Sequence, residues 1–245
     1  MEEDMNKTNQ GELFMVGLFV AAGLAVGGYF VGQTMYNAKV ALNTAESKGL
    51  AERRVKADRA NWKIRFTVAG SSRDEIPGLY KLARRQQKTI LGLLRENGFT
   101  EDEIDPGVFD YNYREFRGHN NMLVDQIHSL ACTVDVETGK VDLVSKARAK
   151  MNGLIAEGIN IENIPPTYRY TKINEIKPDM LKEATRNARI AANEFAANAG
   201  VKVGGIHSAR QGSFTIRDVG EDYGDTARIE KDVRVVTTIN FYLTE

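Results

Sequence analysis

An alternation of apolar and polar residues identifies the first strand of the chain. In residues 61–68, NWKIRFTV, every second side chain is apolar, so the apolar side chains would share one face of a half-buried strand. The preceding residues 47–58, SKGLAERRVKAD, are interpreted as its hairpin partner or as a neighbouring edge strand. Residues 107–116 and 127–136 predict two further strands. The first half of the soluble part is therefore expected to contain a sheet with one buried face.

Three segments instead repeat their apolar residues with the period of a helix: residues 72–97, 140–157 and about 178–199. Ser72 and Glu75 stand in capping-box register at the start of the first, and Pro77 marks an alternative, later start. The third has a face of mostly small residues, predicted as Leu181, Ala184, Ala188, Ala191 and Phe195. Such a face would let the helix lie close against a sheet or another helix.

Each predicted helix ends in a glycine that is followed at once by an apolar residue. These glycines are Gly98, Gly158 and Gly200. A glycine at this position takes the left-handed conformation that ends a helix and turns the chain into a strand. Residues 233–243 predict a last strand, which would form a closing hairpin with residues 212–218. The pattern predicts an α+β fold in which mixed or antiparallel sheets pack against three main helices, in one domain over residues 46–245.

The N-terminal part contains a run of twenty residues without a charge, LFMVGLFVAAGLAVGGYFVG, which begins at Leu13. As a helix it would span roughly 30 Å, the hydrocarbon thickness of a bilayer. A signal peptide usually has an apolar core of about 7–15 residues behind a positive segment. Here four acidic residues and one lysine precede the run. We therefore predict a tail at residues 1–12, an uncleaved membrane anchor at 13–35 and a linker at 36–45.

The residues that follow the anchor leave its processing and its orientation open. Small residues around Ala38 and Ala41 are compatible with a cleavage site. Only Lys7 precedes the anchor, whereas five basic residues follow it: Lys39, Lys48, Arg53, Arg54 and Lys56. By the positive-inside bias, the large domain would face the cytoplasm.

The predicted anchor contains two GxxxG pairs, Gly23 with Gly27 and Gly28 with Gly32. Such pairs let helix backbones approach closely, so one interpretation is that the anchor assists assembly of an oligomer. The alternative is that glycine is simply frequent in membrane helices.

Composition and motifs exclude several kinds of function. The formal net charge is zero, with 33 basic and 33 acidic residues, and no basic stripe indicates nucleic-acid binding. Neither a phosphate-binding glycine loop nor a nucleophile elbow is present between a predicted strand and helix, so no cofactor is expected. His119, His128 and His207 lack the spacing of metal ligands. We predict no catalytic residue and no metal site.

Two features remain as candidates for chemistry or binding. Cys132 is the only cysteine, and its place on the apolar face of a predicted strand favours an inert core thiol over a reactive one. The segment FDYNYREFRG interleaves aromatic and arginine residues, and Tyr111, Tyr113, Arg114 and Arg117 form a candidate binding surface. The alternative for this segment is a strand that packs on one face and is solvated on the other.

Three stretches of the soluble part are considered together: KGLAERRVKADRANWKIRFTVAG, ACTVDVETGKVDLVSKARAKMNGLIAEGIN and LKEATRNARIAANEFAANAGVKVGGIHSARQG. They resemble the SIMPL domain family of bacterial periplasmic or membrane-anchored proteins. The resemblance covers about residues 46–243. Its most specific part is the alanine-rich helix that leads into AGVKVGGI, where Val203 stands in place of the family's usual leucine.

This resemblance implies an α+β domain in the cell envelope that has no family catalytic motif. At least one relative forms a large, hollow, channel-like homo-oligomer, and members are associated with tolerance of oxidative and envelope stress. The implied periplasmic location conflicts with the charges around the anchor.

We therefore expect a non-enzymatic protein of the bacterial inner membrane that crosses it once, has a periplasmic domain and self-assembles into a ring, cage or channel-like scaffold. Its expected partners are further copies of itself and, through residues 13–35, the lipid bilayer. The alternative function is an envelope binding module for a small ligand or a protein partner.

Overall fold

The computed structural model describes residues 2–40 and 43–244, and it confirms the α+β fold with antiparallel sheets. The helices are α1 (Glu2–Val40), α2 (Ile76–Glu96), α3 (Val141–Met151), α4 (Gly153–Ala156) and α5 (Ile173–Asn198). The strands are β1 (Thr44–Lys56), β2 (Arg59–Gly70), β3 (Ile104–Asp105), β4 (Phe109–Arg117), β5 (Leu123–Thr138), β6 (Ile161–Asn163), β7 (Thr167–Arg169), β8 (Lys202–Gln211), β9 (Thr215–Asp218) and β10 (Glu230–Thr244).

The chain divides into two compact units. The terminal unit consists of Met1–Leu50, Lys182–Gly212 and Val236–Glu245, and the central unit consists of Ala51–Leu181 and Ser213–Val235. Strands β1 and β10 and helix α5 each continue from one unit into the other. Whether residues 46–245 fold as one domain stays a prediction.

Helix α1 carries the predicted anchor. Among the described residues, Glu12–Tyr36 form one helix that is long and apolar enough to cross a membrane. Its large apolar side chains, from Leu13 to Tyr36, are exposed. This length and composition fit a membrane anchor and also fit a signal sequence. Residues 41 and 42, which fall in the predicted linker, lie outside the described residues.

The central unit is built on the antiparallel pair β2 and β5. Their register runs from Gly70 opposite His128 to Ala60 opposite Thr138. Strands β6 and β7 pair with β2, and β3 and β4 pair with β5. The apolar residues of one sheet face form a buried core with side chains from α2 and α3: Trp62, Ile64, Phe66, Ile90, Leu94, Cys132, Val134, Val136, Val144 and Met151. The strict alternation in residues 61–68 therefore predicted the buried face correctly.

The three helix-ending glycines adopt the predicted left-handed conformation, with φ of +92° at Gly98, +86° at Gly158 and +73° at Gly200. Each glycine N–H bonds to the carbonyl group three residues earlier, and the next N–H bonds to the carbonyl group five residues earlier. This is the Schellman arrangement, which supplies partners for carbonyl groups at the end of a helix. The residues after the first two glycines, Phe99 and Ile159, are buried, so each helix end also places an apolar side chain in the core.

Of the two interpretations of residues 47–58, the hairpin with β2 is wrong, and the segment is instead an edge strand of the other sheet. Strand β1 lies beside β10 in the order β1, β10, β8, whereas β2 belongs to the other sheet. The two residues between β1 and β2 bond to distant segments instead of closing a hairpin. Ala57 N–H donates to Ile229, and Asp58 N–H donates to Arg169. The chain therefore passes from one sheet into the other at this point.

Helix α2 begins at Ile76, which favours the later of its two predicted starts, and α5 begins before its predicted start. The Ser72 hydroxyl accepts a bond from Asp74 N–H at 3.3 Å, but Glu75 does not complete a capping box. The Glu75 carboxylate instead occupies the space over Gly70. Helix α5 begins at Ile173 and contains Pro178 in its second turn, five residues after its start. A proline at this position lacks the N–H that would bond to the carbonyl group four residues earlier, and its ring crowds that carbonyl group.

In the terminal unit, α5 lies in backbone contact with β1. A Cβ atom at Gly49 would stand 1.8 Å from Ala184 O and 2.4 Å from Ala188 N. The Ser47 hydroxyl donates to Ala188 O at 2.7 Å, and the Asn187 amide donates to Leu50 O at 2.7 Å. The glycine therefore allows these bonds to form at close range.

The buried face of α5 is only partly as predicted. It consists of Met180, Ala184, Ala188, Ala192 and Ala196. Ala191 and Phe195 are exposed, contrary to the prediction, and 63% of Phe195 is accessible. The alanines at intervals of four residues follow the line of closest approach, and a large side chain on that line would separate the backbones.

A hydrogen-bonded cluster around Glu103 joins several elements of the central unit. The Glu103 carboxylate accepts bonds from Thr138 Oγ1 at 2.6 Å, Lys140 Nζ at 2.8 Å and Thr100 N–H at 2.9 Å. Lys140 Nζ also donates to Gly98 O at 2.9 Å. Burial alone would raise the pKa of Glu103, but these bonds lower it from 4.5 to about 2. Thr100 and Glu103 form a capping box, which was not predicted from the sequence.

Gly49→Ala is expected to destabilise the terminal unit by about 3 kcal/mol, because overpacking forces backbone shifts. Thermal and urea unfolding of the full-length variant, followed by circular dichroism, would measure the loss. Gly205→Ala in β8 is the matched control, since a Cβ atom there meets nothing within 4 Å. Equal stability of the two variants would contradict the close approach of α5 and β1.

Glu103→Gln is expected to lower the free energy of unfolding by about 3 kcal/mol at pH 7, because the pKa of a native carboxyl near 2 favours the folded state. This contribution is complete above the unfolded pKa of about 4.5 and is lost as the pH falls towards about 2, so the difference between variant and parent should shrink in acid. Urea unfolding followed by fluorescence of the single buried tryptophan, Trp62, measures it. Glu101→Gln is the control on the same turn, and a constant Glu103→Gln difference from pH 7 to pH 2 would refute the explanation.

Candidate functional site

The candidate binding surface lies on the antiparallel hairpin of β4 and β5. Tyr111 and Tyr113 lie on one face of β4, and strand alternation places Arg114 on the opposite face. Arg117 follows a break in register after Phe116 and bonds to Glu115 at 2.6 Å and 3.0 Å. The hairpin therefore brings Tyr111 and Tyr113 together and separates both from Arg114.

The two tyrosines border an open pocket of about 550 Å³. Its lining residues are Arg73, Ile76, Tyr111, Tyr113, Gln126 and His128. This volume lies in the range of pockets that hold small ligands. About half of each tyrosine is accessible, 49% for Tyr111 and 45% for Tyr113. We call this feature the hairpin pocket, and it combines aromatic, apolar, amide and cationic side chains.

His128 is the most buried residue of the hairpin pocket, with 3% of its surface accessible. It stands opposite Tyr113 on β4, and the two rings stack at 4.8 Å between centroids. His128 Nδ1 and the Tyr111 hydroxyl are 2.7 Å apart. Within the described residues, His128 Nε2 is buried without a hydrogen-bond partner. A buried polar atom without a hydrogen-bond partner reduces the free energy of unfolding and is rare in folded proteins. A histidine at this position is therefore unusual.

The charged residues beside the hairpin pocket differ in whether they have a partner of opposite charge. The Tyr113 hydroxyl donates to Glu115 Oε1 at 2.6 Å, and this bond, together with those from Arg117, lowers the pKa of Glu115. The same bond to Glu115 raises the pKa of Tyr113. Arg73, by contrast, forms no salt bridge with any described residue. The lining therefore presents one cation that has no carboxylate partner.

Four residues of the hairpin pocket were not predicted from the sequence: Arg73, Ile76, Gln126 and His128. A signal for two of them was present, because Gln126 and His128 continue the alternation of the buried face of β5 beyond Leu130. Arg73 and Ile76 gave no such signal, since their position depends on how α2 lies over the sheet. The predicted helix-packing glycines, Gly23, Gly27, Gly28 and Gly32, have open space around the Cβ position, and their role stays a prediction.

The remaining candidates for chemistry lie apart from the hairpin pocket. His119 is exposed in the turn after β4, and His207 Nδ1 lies 2.8 Å from the Tyr242 hydroxyl. Cys132 is fully buried, as predicted, and its thiol donates to Pro106 O at 3.4 Å. Burial raises the pKa of this thiol. No group of three or more potential metal ligands of the His, Cys, Asp and Glu types occurs within residues 2–40 and 43–244.

A second cavity of about 490 Å³ lies over β1, β9 and β10 and is lined mainly by charged side chains. Arg54 pairs with Asp232 at 3.1 Å, and Arg234 pairs with Glu52 at 3.5 Å. Asp218, on β9, pairs with the fully buried Lys231. Because these charges compensate one another, this cavity is a weaker candidate than the hairpin pocket.

The protein is an α+β protein with antiparallel sheets. An N-terminal helix that is long and apolar enough to cross a membrane precedes this region. A scan against protein-family models matches residues 46–239 to SIMPL, described as "Protein of unknown function (DUF541)". The chain therefore belongs to the SIMPL family, which is not a known enzyme family. A search of curated proteins gave no match.

Cys132 is expected to resist alkylation in the folded protein, because only an exposed thiolate reacts readily. N-Ethylmaleimide should modify the native full-length protein about a hundredfold more slowly than the urea-unfolded protein, if exposure of the thiol requires an opening of ~3 kcal/mol. Intact-mass spectrometry at successive times measures both rates. Equal rates would show that Cys132 is accessible in the native state.

Proposed function

We propose that this protein is a non-enzymatic, membrane-anchored cell-envelope protein that self-assembles into a large homo-oligomer, as a ring, cage or channel-like scaffold. Helix α1 crosses the bacterial inner membrane once, and the SIMPL domain lies in the periplasm. The exposed apolar surface of α1 is the observation that carries the proposal. Because members of the family that this chain resembles are associated with tolerance of oxidative and envelope stress, we assign the assembly a role in that tolerance. Survival of a deletion strain under peroxide measures it.

The exposed surface of α1 supports anchoring. Large apolar side chains remain accessible along Glu12–Tyr36, on every side of the helix. Contiguous apolar surface of this extent is unfavourable in water and is covered in membranes or in protein interfaces. The span matches the thickness of a bilayer, so lipid is the partner that this helix fits best.

The positions of the glycine pairs in α1 support assembly beyond a dimer. At about 100° of rotation per residue, Gly23 and Gly28 point about 140° apart around the helix axis. Gly23 and Gly27 therefore face one direction, and Gly28 and Gly32 face another. A helix with two such faces can contact two neighbours at once, as a closed ring requires.

Two long edge strands support assembly of the soluble part. Within the described residues, β4 pairs only with β5, and β8 pairs only with β10. Nearly all side chains of both strands are exposed. An exposed edge of nine or ten residues offers unpaired backbone groups to another strand. Two different edges on one chain suit head-to-tail contacts between copies.

A second candidate function is an envelope binding module that uses the hairpin pocket. The observation that favours it is the buried and unpaired Nε2 atom of His128, beside the half-exposed rings of Tyr111 and Tyr113. This function does not compete with assembly, because an assembled protein still presents its pockets.

Self-assembly predicts a large, discrete particle. Light scattering of the detergent-purified full-length protein should give a mass that is a multiple of the 27.3 kDa chain. A variant that lacks residues 1–43 distinguishes the contributions of the anchor and of the soluble part. Gly27→Leu with Gly28→Leu should reduce the particle mass, because the larger side chains separate the helices.

Ala22→Leu is the control for the glycine substitutions, since it adds similar bulk on a part of α1 that neither glycine pair faces. Strictly monomeric protein, with and without the anchor, would remove the assembly proposal. An unchanged mass in the double-glycine variant would assign assembly to the soluble part alone.

If the domain is periplasmic, its surface should be accessible to a reagent that cannot cross the inner membrane. Tyr223→Cys in a Cys132→Ser background places a thiol at a position with 91% accessible surface. A membrane-impermeant maleimide should label it in cells whose outer membrane alone is permeabilised. Cys132→Ser without the second change is the control, and the mass of the labelled chain reports whether α1 has been cleaved. Labelling only after the inner membrane is opened would place the domain in the cytoplasm.

A further inference from the structure

We propose that the hairpin pocket binds a small planar compound that carries one carboxylate, with the ring against Tyr111 and Tyr113 and the carboxylate against Arg73. The inference deepens the second candidate function and rests on it. It depends on the exposure of the two tyrosine rings and on the unpaired cation of Arg73.

The tyrosine rings provide a surface for a planar group. The rings of Tyr111 and Tyr113 each stack with the His128 ring, at interplanar angles of 21° and 29°. His128 is buried, whereas about half of each tyrosine is exposed, and all three residues line the pocket. Aromatic rings stack with an offset on such a surface, and Ile76 adds an apolar wall.

The polar groups of the pocket favour an acceptor over a donor in the ligand. Arg73 has no salt bridge within the described part of the chain, and a guanidinium binds a carboxylate through paired charge-assisted bonds. When the Tyr111 hydroxyl donates to His128 Nδ1, the ring proton lies on Nε2, which is then a donor without an acceptor and is itself buried beneath the accessible surface. The Gln126 amide supplies a further donor.

Two carboxylates near the hairpin pocket do not cancel the charge of Arg73. Glu115 already accepts bonds from Tyr113 and Arg117. The Glu75 carboxylate lies over Gly70, the neighbour of His128 on β2, and is not part of the pocket lining. The position of Glu75 suggests the decisive comparison, between an acidic and a basic ligand of the same shape.

The test is equilibrium dialysis of full-length protein in nanodiscs of zwitterionic lipid, with empty nanodiscs as the blank. The probes are naphthalene-2-carboxylate, naphthalene-2-carboxamide and naphthalen-2-ylmethylamine, which share a ring system and differ in charge. The carboxylate should bind about tenfold more tightly than the amide and the amine, as expected for one charge-assisted contact.

Matched variants assign the contacts. Arg73→Gln should weaken binding of the carboxylate about tenfold and remove its advantage over the amide. Arg114→Gln, on the opposite face of β4, is the control and should change nothing. Tyr113→Ala should weaken binding of all three probes, whereas Tyr113→Phe keeps the ring and should retain binding. Circular dichroism spectra and melting temperatures verify that each variant is folded.

Each outcome decides between the proposals. Equal binding of acid and amide, stronger binding of the amine, or an unchanged affinity in Arg73→Gln overturns the carboxylate class. If Tyr113→Ala still removes the signal in those cases, the binding function itself stands. If no probe binds to the protein above the blank, both the ligand class and the binding function are wrong, and the assembly proposal is unaffected.

Discussion

The central unit depends on the need to cover one face of the β2 and β5 pair. Trp62, Phe66 and Val134 on that face are fully buried, and each such side chain contributes about 1.5–3 kcal/mol when it leaves water. Helices α2 and α3 provide the cover and insert their own apolar side chains into the same core. The Schellman ends of α2 and α4 follow from this arrangement, since each helix must end where the chain returns to the sheet edge.

The hairpin pocket forms where this cover ends. Strand β5 is sixteen residues long, and its alternation of inward side chains continues past the last fully covered core positions to His128 and Gln126. Arg73, three residues before α2, and Ile76, its first residue, border this part of the sheet. One strand therefore supplies both the core and the candidate site. Gln126 and His128, near its N-terminal end, lie on the same face of the strand as the core residues Val134 and Val136.

Local patterns predicted those features that local forces determine. The alternation around Trp62 and the glycine at position 98 each act within a few residues, and both predictions were confirmed. The partner of β1 is β10, a strand near the other end of the chain, and no local pattern reports such a distant pairing.

The candidate site was predictable to a similar extent. The aromatic strand around Tyr111 and Tyr113 was visible in the sequence, and so was the strand that contains His128. Their juxtaposition was not, because the register that places Tyr113 opposite His128 is set by the antiparallel pairing of the whole hairpin. The side on which Arg114 lies follows from strand alternation, so its separation from the tyrosines could have been inferred from the sequence.

The division of β5 between core and site also bears on motion. Backbone amide groups near Val134 lie beside buried core residues. Those near Gln126 belong to the end of the hairpin, where few neighbouring residues are buried. Elements of low local stability open without global unfolding. The end of the β4 and β5 hairpin can therefore open and re-form while the rest of the sheet stays intact. Such an opening would expose the buried Nε2 atom of His128 to a molecule in solution.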